Sequence, residues 1–207
     1  MPPGIALREA RRLVAELARR ARFAARTPLG RRLVAVGSVR RGEPRAHDLD
    51  VLAILPGSAR TGGGTGGAAN TTGGRGGGGG SGGLLPVELG AARAGDRIRS
   101  LRASGGGRHV VLRLSLLPRG GGRGARIAVD VFRTTPRELP FALFHYTGPA
   151  AYNVRTRAHA KRLGFRLNQY GLFGRGTGRR ARGSIGLRTE AQIARRLGLT
   201  ARPPRDR

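Results

Sequence analysis

The chain is 207 residues long and carries 40 Lys or Arg against 11 Asp or Glu, a formal net charge of +29. That length suits one domain, or one domain with a small appendage. The lack of cysteine excludes disulfides and thiolate metal sites, and no apolar run reaches the ~18 residues that would span a bilayer.

The first predicted element is an amphipathic helix over residues 5–22. In it Leu7, Ala10, Leu13, Val14, Leu17 and Ala21 recur at helical spacing, with arginines on the opposite face. Its acids, Glu9 and Glu16, argue against a signal peptide. Pro28-Leu29-Gly30 ends the helix, and Leu33 to Val36 is a short buried strand with Gly37-Ser38 at its end. A basic turn through Arg40 and Arg41 leads into a second strand, Leu49 to Leu55, so the pair reads as a hairpin. Residues 57–83 are mostly glycine and cannot bury enough apolar surface to order their backbone; they are expected to be a flexible excursion. Strands are expected again at His109 to Leu117 and Arg126 to Phe132, joined by a Gly-rich turn over 119–124.

The last third changes character. A short helix is predicted over Arg137 to Phe144, a break at Thr147-Gly148-Pro149, and a longer helix opened by Pro149 and ending near Leu163. A small strand region, Phe165 to Phe173, precedes a basic loop over 174–183. Thr189 and Gln192 have capping-box spacing for a final helix that stops at Gly198. The order helix, sheet, helical appendage predicts an α+β protein.

Charge alone points to a polyanionic partner, held with an affinity that falls steeply as salt rises. Part of that charge follows coding bias, because Lys161 is the sole lysine and glycine reaches 37 residues. The chemical clues are carboxylates. Asp48 and Asp50, two apart at the start of a strand, share one face while Leu49 and Val51 turn to the core. Asp130 sits between Val129 and Val131, where an ionised side chain is costly without a partner. If its strand neighbours the first, the three acids form an all-oxygen site suited to two Mg²⁺ ions, or Mn²⁺, about 3.5–4 Å apart. Upstream, Gly37 lets backbone N–H groups approach a phosphate, Ser38 adds a hydroxyl, and Arg40 and Arg41 can clamp triphosphate oxygens.

The ordered set G-S-V-R-R-G then D-L-D resembles the nucleotidyltransferase signature of the DNA polymerase X family, that of polymerase beta. FHYTGPAAYNVRTRAHAKRLGFRLNQYGLF, from Phe144 to Phe173, is similar to the end of that family's palm and most of its thumb. The resemblance implies a nucleotidyltransferase palm, a mixed sheet with helices, over residues 1–145 and a small thumb over 146–207. It implies Asp48, Asp50 and Asp130 as metal ligands, with Asp130 also acting on, or orienting, the primer 3′-hydroxyl. Gly37, Ser38 and Arg41 match triphosphate contacts. His145 and Tyr146 fall at the paired motif beside the incoming sugar, with His145 where polymerase beta has tyrosine. Gly148 belongs to the same nucleotide seat, Asn153 matches a base contact in the minor groove, and Arg157 a template-strand contact. Ala128 stands where polymerase beta has arginine.

The implied activity is DNA-directed DNA polymerisation that fills short gaps in base excision repair. Gapped or primed duplex DNA and dNTPs are the expected partners, with no membrane and a monomeric enzyme. An intracellular setting is expected: virion or host cell if viral, otherwise nucleus. A template-independent nucleotidyltransferase and a non-catalytic basic nucleic-acid-binding protein remain open as alternatives. About thirty residues precede the first strand and the only lysine matches no Schiff-base position, so no lyase activity is expected. The family bends its chain with a cis peptide where Gly148-Pro149 lies, and a proline makes cis ~2 kcal/mol cheaper than at other residues, so this bond is expected to be cis.

Overall fold

The computed structural model describes residues 4–23, 27–28, 32–55, 87–106, 108–118 and 124–207. The Gly-rich stretch 57–83 and most of the second Gly-rich turn, 119–123, lie outside the described residues, as do Leu29 and Gly30. In chain order the elements are β1 (Ile5–Ala6), α1 (Leu7–Arg20), β2 (Ala21–Phe23), β3 (Thr27–Pro28), β4 (Arg32–Ala35), α2 (Gly37–Arg41), β5 (Arg45–Ala46), β6 (Leu49–Ile54) and β7 (Val87–Leu89). There follow β8 (Ile98–Gly106), β9 (His109–Leu116), β10 (Arg126–Thr134), α3 (Leu139–Thr147), α4 (Ala150–Arg162), β11 (Phe165–Asn168), β12 (Gly171–Gly174) and α5 (Glu190–Arg196). The α+β expectation holds.

The central sheet has five strands in the order β4-β6-β10-β9-β8. Only β6 and β10 run parallel; β4–β6, β10–β9 and β9–β8 are antiparallel, so the sheet is mixed. Period-2 alternation sorts its residues by face. Leu49, Val51 and Ala53 of β6, with Val129 and Val131 of β10, pack under α1 against Leu13 and Leu17. Burying Leu13 and Leu17 contributes roughly 1.5–3 kcal/mol each. On the other face Leu52 meets Val36 and Ala142, so α3 covers one end of that face, and farther along it Arg113 and Arg102 are exposed. A second core, built around Phe141, Phe144, Leu167, Leu172 and Ile193, joins α3 to α4, β11, β12 and α5.

Several elements depart from expectation in instructive ways. Helix α1 hides more than its apolar stripe: Glu9, Glu16 and Arg20 are each under 10 % exposed. Arg20 is therefore on the buried side, and its role is to neutralise Glu16. Strand β8 has no sequence counterpart. It ends in Gly105 and Gly106, and a register shift between Ile98 and Ser100 breaks its alternation, so pairing with β9 makes it a strand. Gly37-Ser38 opens the one-turn helix α2 instead of a plain turn, closed by Gly42 at φ 82. The Gly148–Pro149 bond is trans, correcting the cis expectation. Gly148 is extended at φ −74, ψ 150, the region favoured before proline, and Pro149 caps α4 at φ −65, ψ 160, so ordinary dihedrals make the bend. The capping box forms as the spacing requires: the Thr189 side chain accepts from the Gln192 N–H, and the Gln192 side chain accepts from the Thr189 N–H.

Candidate active site

The parallel pairing of β6 with β10 sets Asp50 directly beside Asp130, and Asp48 lies two residues before Asp50. Asp48 is exposed while Asp50 is half-buried. Burial, then the neighbouring charges of Asp48 and Asp130, push the Asp50 carboxyl up to about 6, against the pull of Arg41 and His109. Asp48, Asp50 and Asp130 together offer hard-oxygen donors of the kind that suits a divalent cation, which would relieve the repulsion on Asp50. Among the described residues no three acids or histidines close around a single point. Asp130 Oδ1 is instead held by His109 Nε2 at 2.6 Å.

The two sequence motifs meet at Gly37. A Cβ built there would fall 2.1 Å from Asp50 Oδ2, and the residue sits at φ +56, so glycine alone lets the carboxylate lie against this backbone. Val36 N–H donates to Asp50 O at 2.8 Å, tying the end of β4 to β6 and starting α2 beside the acids. Ser38 follows at the first turn of α2, half-buried. Arg41 Nη1 donates to Thr147 O at 2.9 Å, at the end of α3. Arg40 is committed elsewhere: it pairs with Glu190 and donates to Thr147 Oγ1.

Across from the acids, α3 and α4 bring together His145, Asn153 and Arg157. Asn153 Nδ2 donates to His145 O at 2.6 Å and to Gly148 O at 3.3 Å, fixing the break between the helices. Arg157 Nη2 lies 3.1 Å from His145 Nδ1. Arginine has only donors, so His145 Nδ1 accepts and its proton sits on Nε2. Tyr146 stacks on Phe132, with ring centroids 4.0 Å apart, and burial followed by Tyr170 pushes its hydroxyl up to about 12.

The family model for the DNA polymerase beta thumb matches residues 142–207. The repair DNA polymerase X of an African swine fever virus isolate from a Namibian warthog is 30 % identical over 179 residues, 86 % of this chain and 83 % of the relative. That of a Malawian tick isolate is 39 % identical over 79 residues, 38 % of this chain and 43 % of the relative. The chain belongs to the X family of DNA polymerases. In fold it is similar to Leishmania infantum polymerase beta, solved as a ternary P/T complex: TM-score 0.61 and 17 % identity, covering 99 % of this chain and 76 % of that one.

In this family X polymerase two features escape sequence reading. The first is His109, which carries no spacing signal. Its ring stacks on Phe132 at 4.7 Å, which aims Nε2 at Asp130. Only the β9–β10 register, Phe132 opposite His109, reveals it. The second is the ionic group that joins α2 to α5. Burial favours the neutral form of Glu190, but the Arg40 hydrogen bond and the Arg207 charge outweigh it and hold the carboxyl below its ordinary range. Arg207 reaches Glu190 Oε1 at 2.7 Å with its own side chain only 3 % exposed.

Burial, and then the charge of Arg157, hold the His145 imidazole down at about 4. A folded value below the ordinary 6.5 means that the unfolded chain binds the extra proton first. Stability present above about pH 6.5 is therefore lost as pH falls towards 4. An NMR titration is expected to show His145 neutral at pH 6, and Arg157→Gln to raise the midpoint only part-way because burial remains. A midpoint near 6.5 in the wild type would contradict this packing.

Proposed function

We propose that this chain adds deoxynucleotides to a primer 3′-hydroxyl under the direction of a template, filling short gaps during base excision repair. The observation that carries the reading is the side-by-side placement of Asp50 and Asp130 on β6 and β10, with Gly37 pressed against Asp50. Residues 1–145 act as palm and 146–207 as thumb of a monomeric enzyme, and the relatives' viral origin supports work within an infected cell or virion.

Asp48, Asp50 and Asp130 would hold two Mg²⁺, or Mn²⁺, which when bound neutralise charge on the transferring phosphoryl group and lower the pKa of the attacking hydroxyl. Asp130 accepts the proton of the primer 3′-hydroxyl. His109, 2.6 Å from Oδ1, keeps that carboxylate turned. Gly37, Ser38 and Arg41 bind the triphosphate through backbone N–H groups, a hydroxyl and a guanidinium. Tyr146, fixed by its stack on Phe132, and His145 line the sugar, where bulk excludes a 2′-hydroxyl. Gly148, at the same nucleotide seat, lets the buried Tyr152 ring pack against the bend between the helices, since a Cβ there would fall 2.7 Å from it. Asn153 contacts the base edge, and Arg157, exposed beyond His145, meets the template strand.

Primer extension on a one-nucleotide-gapped duplex, with each dNTP supplied alone, tests the reading. Addition restricted to the complementary nucleotide is expected on all four templates. Addition that ignores the template would replace it with the terminal-transferase alternative.

A further inference from the structure

We propose that Arg113 and Arg102 form a phosphate track for the primer strand on the open face of the sheet, a proposal that rests on the polymerase reading above. The register builds the track. Ala128 of β10 pairs with Arg113 of β9, which pairs with Arg102 of β8. Cross-strand partners share a face, and Ala128 is two residues from Asp130, so this row of side chains runs beside the row that holds Asp130. The opposite face, with Val129 and Leu112, is the core.

Two observations mark the row as a ligand surface. Like charges placed directly opposite across a sheet are destabilising, and here two exposed guanidinium groups are paired that way. Neither has a hydrogen-bond or ion-pair partner among the described residues. Where arginines of this half meet acids they pair with them, Arg20 with Glu16, Arg97 with Glu9 and Arg108 with Glu138; what sets Arg113 and Arg102 apart is that they face each other. Arg113 and Arg102 are left unneutralised on an open surface, which an anion would correct.

The reaction geometry says which anion. Ser38 and Arg41 stand at the β4–β6 side of the acids, because α2 follows β4 and Val36 is bonded to Asp50. In-line transfer sends the leaving pyrophosphate one way and brings the hydroxyl from the other. With the triphosphate beyond β6, the 3′-hydroxyl approaches over β10 from the β9–β8 side. The last primer phosphates then pass over Arg113 and Arg102, and the small Ala128 leaves that path clear.

The test is binding of one-nucleotide-gapped duplex by the full chain across a salt series, comparing wild type with Arg102→Gln/Arg113→Gln. Both positions are exposed, so the variant is expected to keep its fold, checked by its thermal melt. Each phosphate contact contributes about 0.9 to the slope of log affinity against log salt, so the variant is expected to lose roughly 2 from it. Replacing the two terminal primer linkages with uncharged methylphosphonates should weaken wild type and leave the variant unaffected. The same change in the template strand should weaken both alike. Ala128→Arg in the Arg102→Gln/Arg113→Gln background, which puts a charge one strand over, should restore sensitivity to primer neutralisation.

An unchanged salt slope, or a variant that still responds to the primer linkages, overturns the proposal. So does a wild type that responds only to the template strand. Binding reads the track without turnover. An intact track signature with no templated addition would therefore count against the polymerase reading alone.

Discussion

Asp50→Asn is expected to cost roughly 10³-fold or more in the single-turnover rate, about 4 kcal/mol of transition-state stabilisation, while the folded chain becomes no less stable at neutral pH. Both halves follow from one environment. Asp50 is wedged between Gly37 and Asp130, and its carboxyl titrates at about 6 against an ordinary 3.8. Because the folded value is the raised one, the stability this group contributes is present below about pH 3.8 and is lost as pH rises through about 6. At pH 7.5 without divalent metal, wild type therefore carries a repulsion that the neutral amide lacks. Melts of metal-free protein at pH 5 and 7.5 should show a smaller pH effect in Asp50→Asn. A variant that keeps its rate within tenfold, or melts well below wild type, would remove Asp50 from the site.

Glu16→Ala should unfold more of the molecule than any substitution at the acids. Glu16 Oε1 accepts from Arg20 Nη1 at 2.6 Å and from the Ile98 N–H at 2.9 Å, and Oε2 accepts from the Arg97 N–H at 2.8 Å. Arg20 in turn donates to Ile98 O at 2.8 Å and Gly90 O at 3.1 Å. This buried group pins the chain to α1 just where it enters β8. Truncation strands two backbone donors and leaves Arg20 only the longer ion pair with Asp96 Oδ2, at 3.7 Å, a loss of about 3–5 kcal/mol from a total of roughly 5–15. Urea unfolding should resolve it. Glu16→Leu/Arg20→Leu, which removes both charges in similar volume, should recover much of the deficit. A Glu16→Ala cost below about 1 kcal/mol would mean that solvent reaches the group.

Much of the candidate site was legible because its residues carry local signals. Asp48 and Asp50 announce a shared face by their spacing, Gly37-Ser38-Val39-Arg40-Arg41 lies directly upstream, and the resemblance of Phe144 to Phe173 locates His145, Tyr146, Asn153 and Arg157. Strands β6, β9 and β10 and the Thr189 cap were equally readable from alternation and capping chemistry. What local pattern could not supply is anything set by register. His109 reaches Asp130 only because a hairpin of unspecified turn length aligns it with Phe132. Arg102 and Arg113 face each other only because β8, itself invisible to periodicity, bonds to β9. Arg20 looked like a solvent-facing helix charge, since nothing in its neighbourhood foretold Ile98 and Gly90. Arg40 was assigned to the triphosphate beside Arg41, yet Glu190, 150 residues away, claims it. Gly148–Pro149 shows the reverse error: a family habit carried onto a bond that this chain makes trans.

The measurement that tests the central claim most directly is single-nucleotide addition on a one-nucleotide-gapped duplex with Mg²⁺, wild type beside Asp130→Ala. Complementary addition by wild type and none by Asp130→Ala, with DNA affinity preserved, is the predicted result. Equal addition by both proteins, or tight binding without addition by either, would contradict the account.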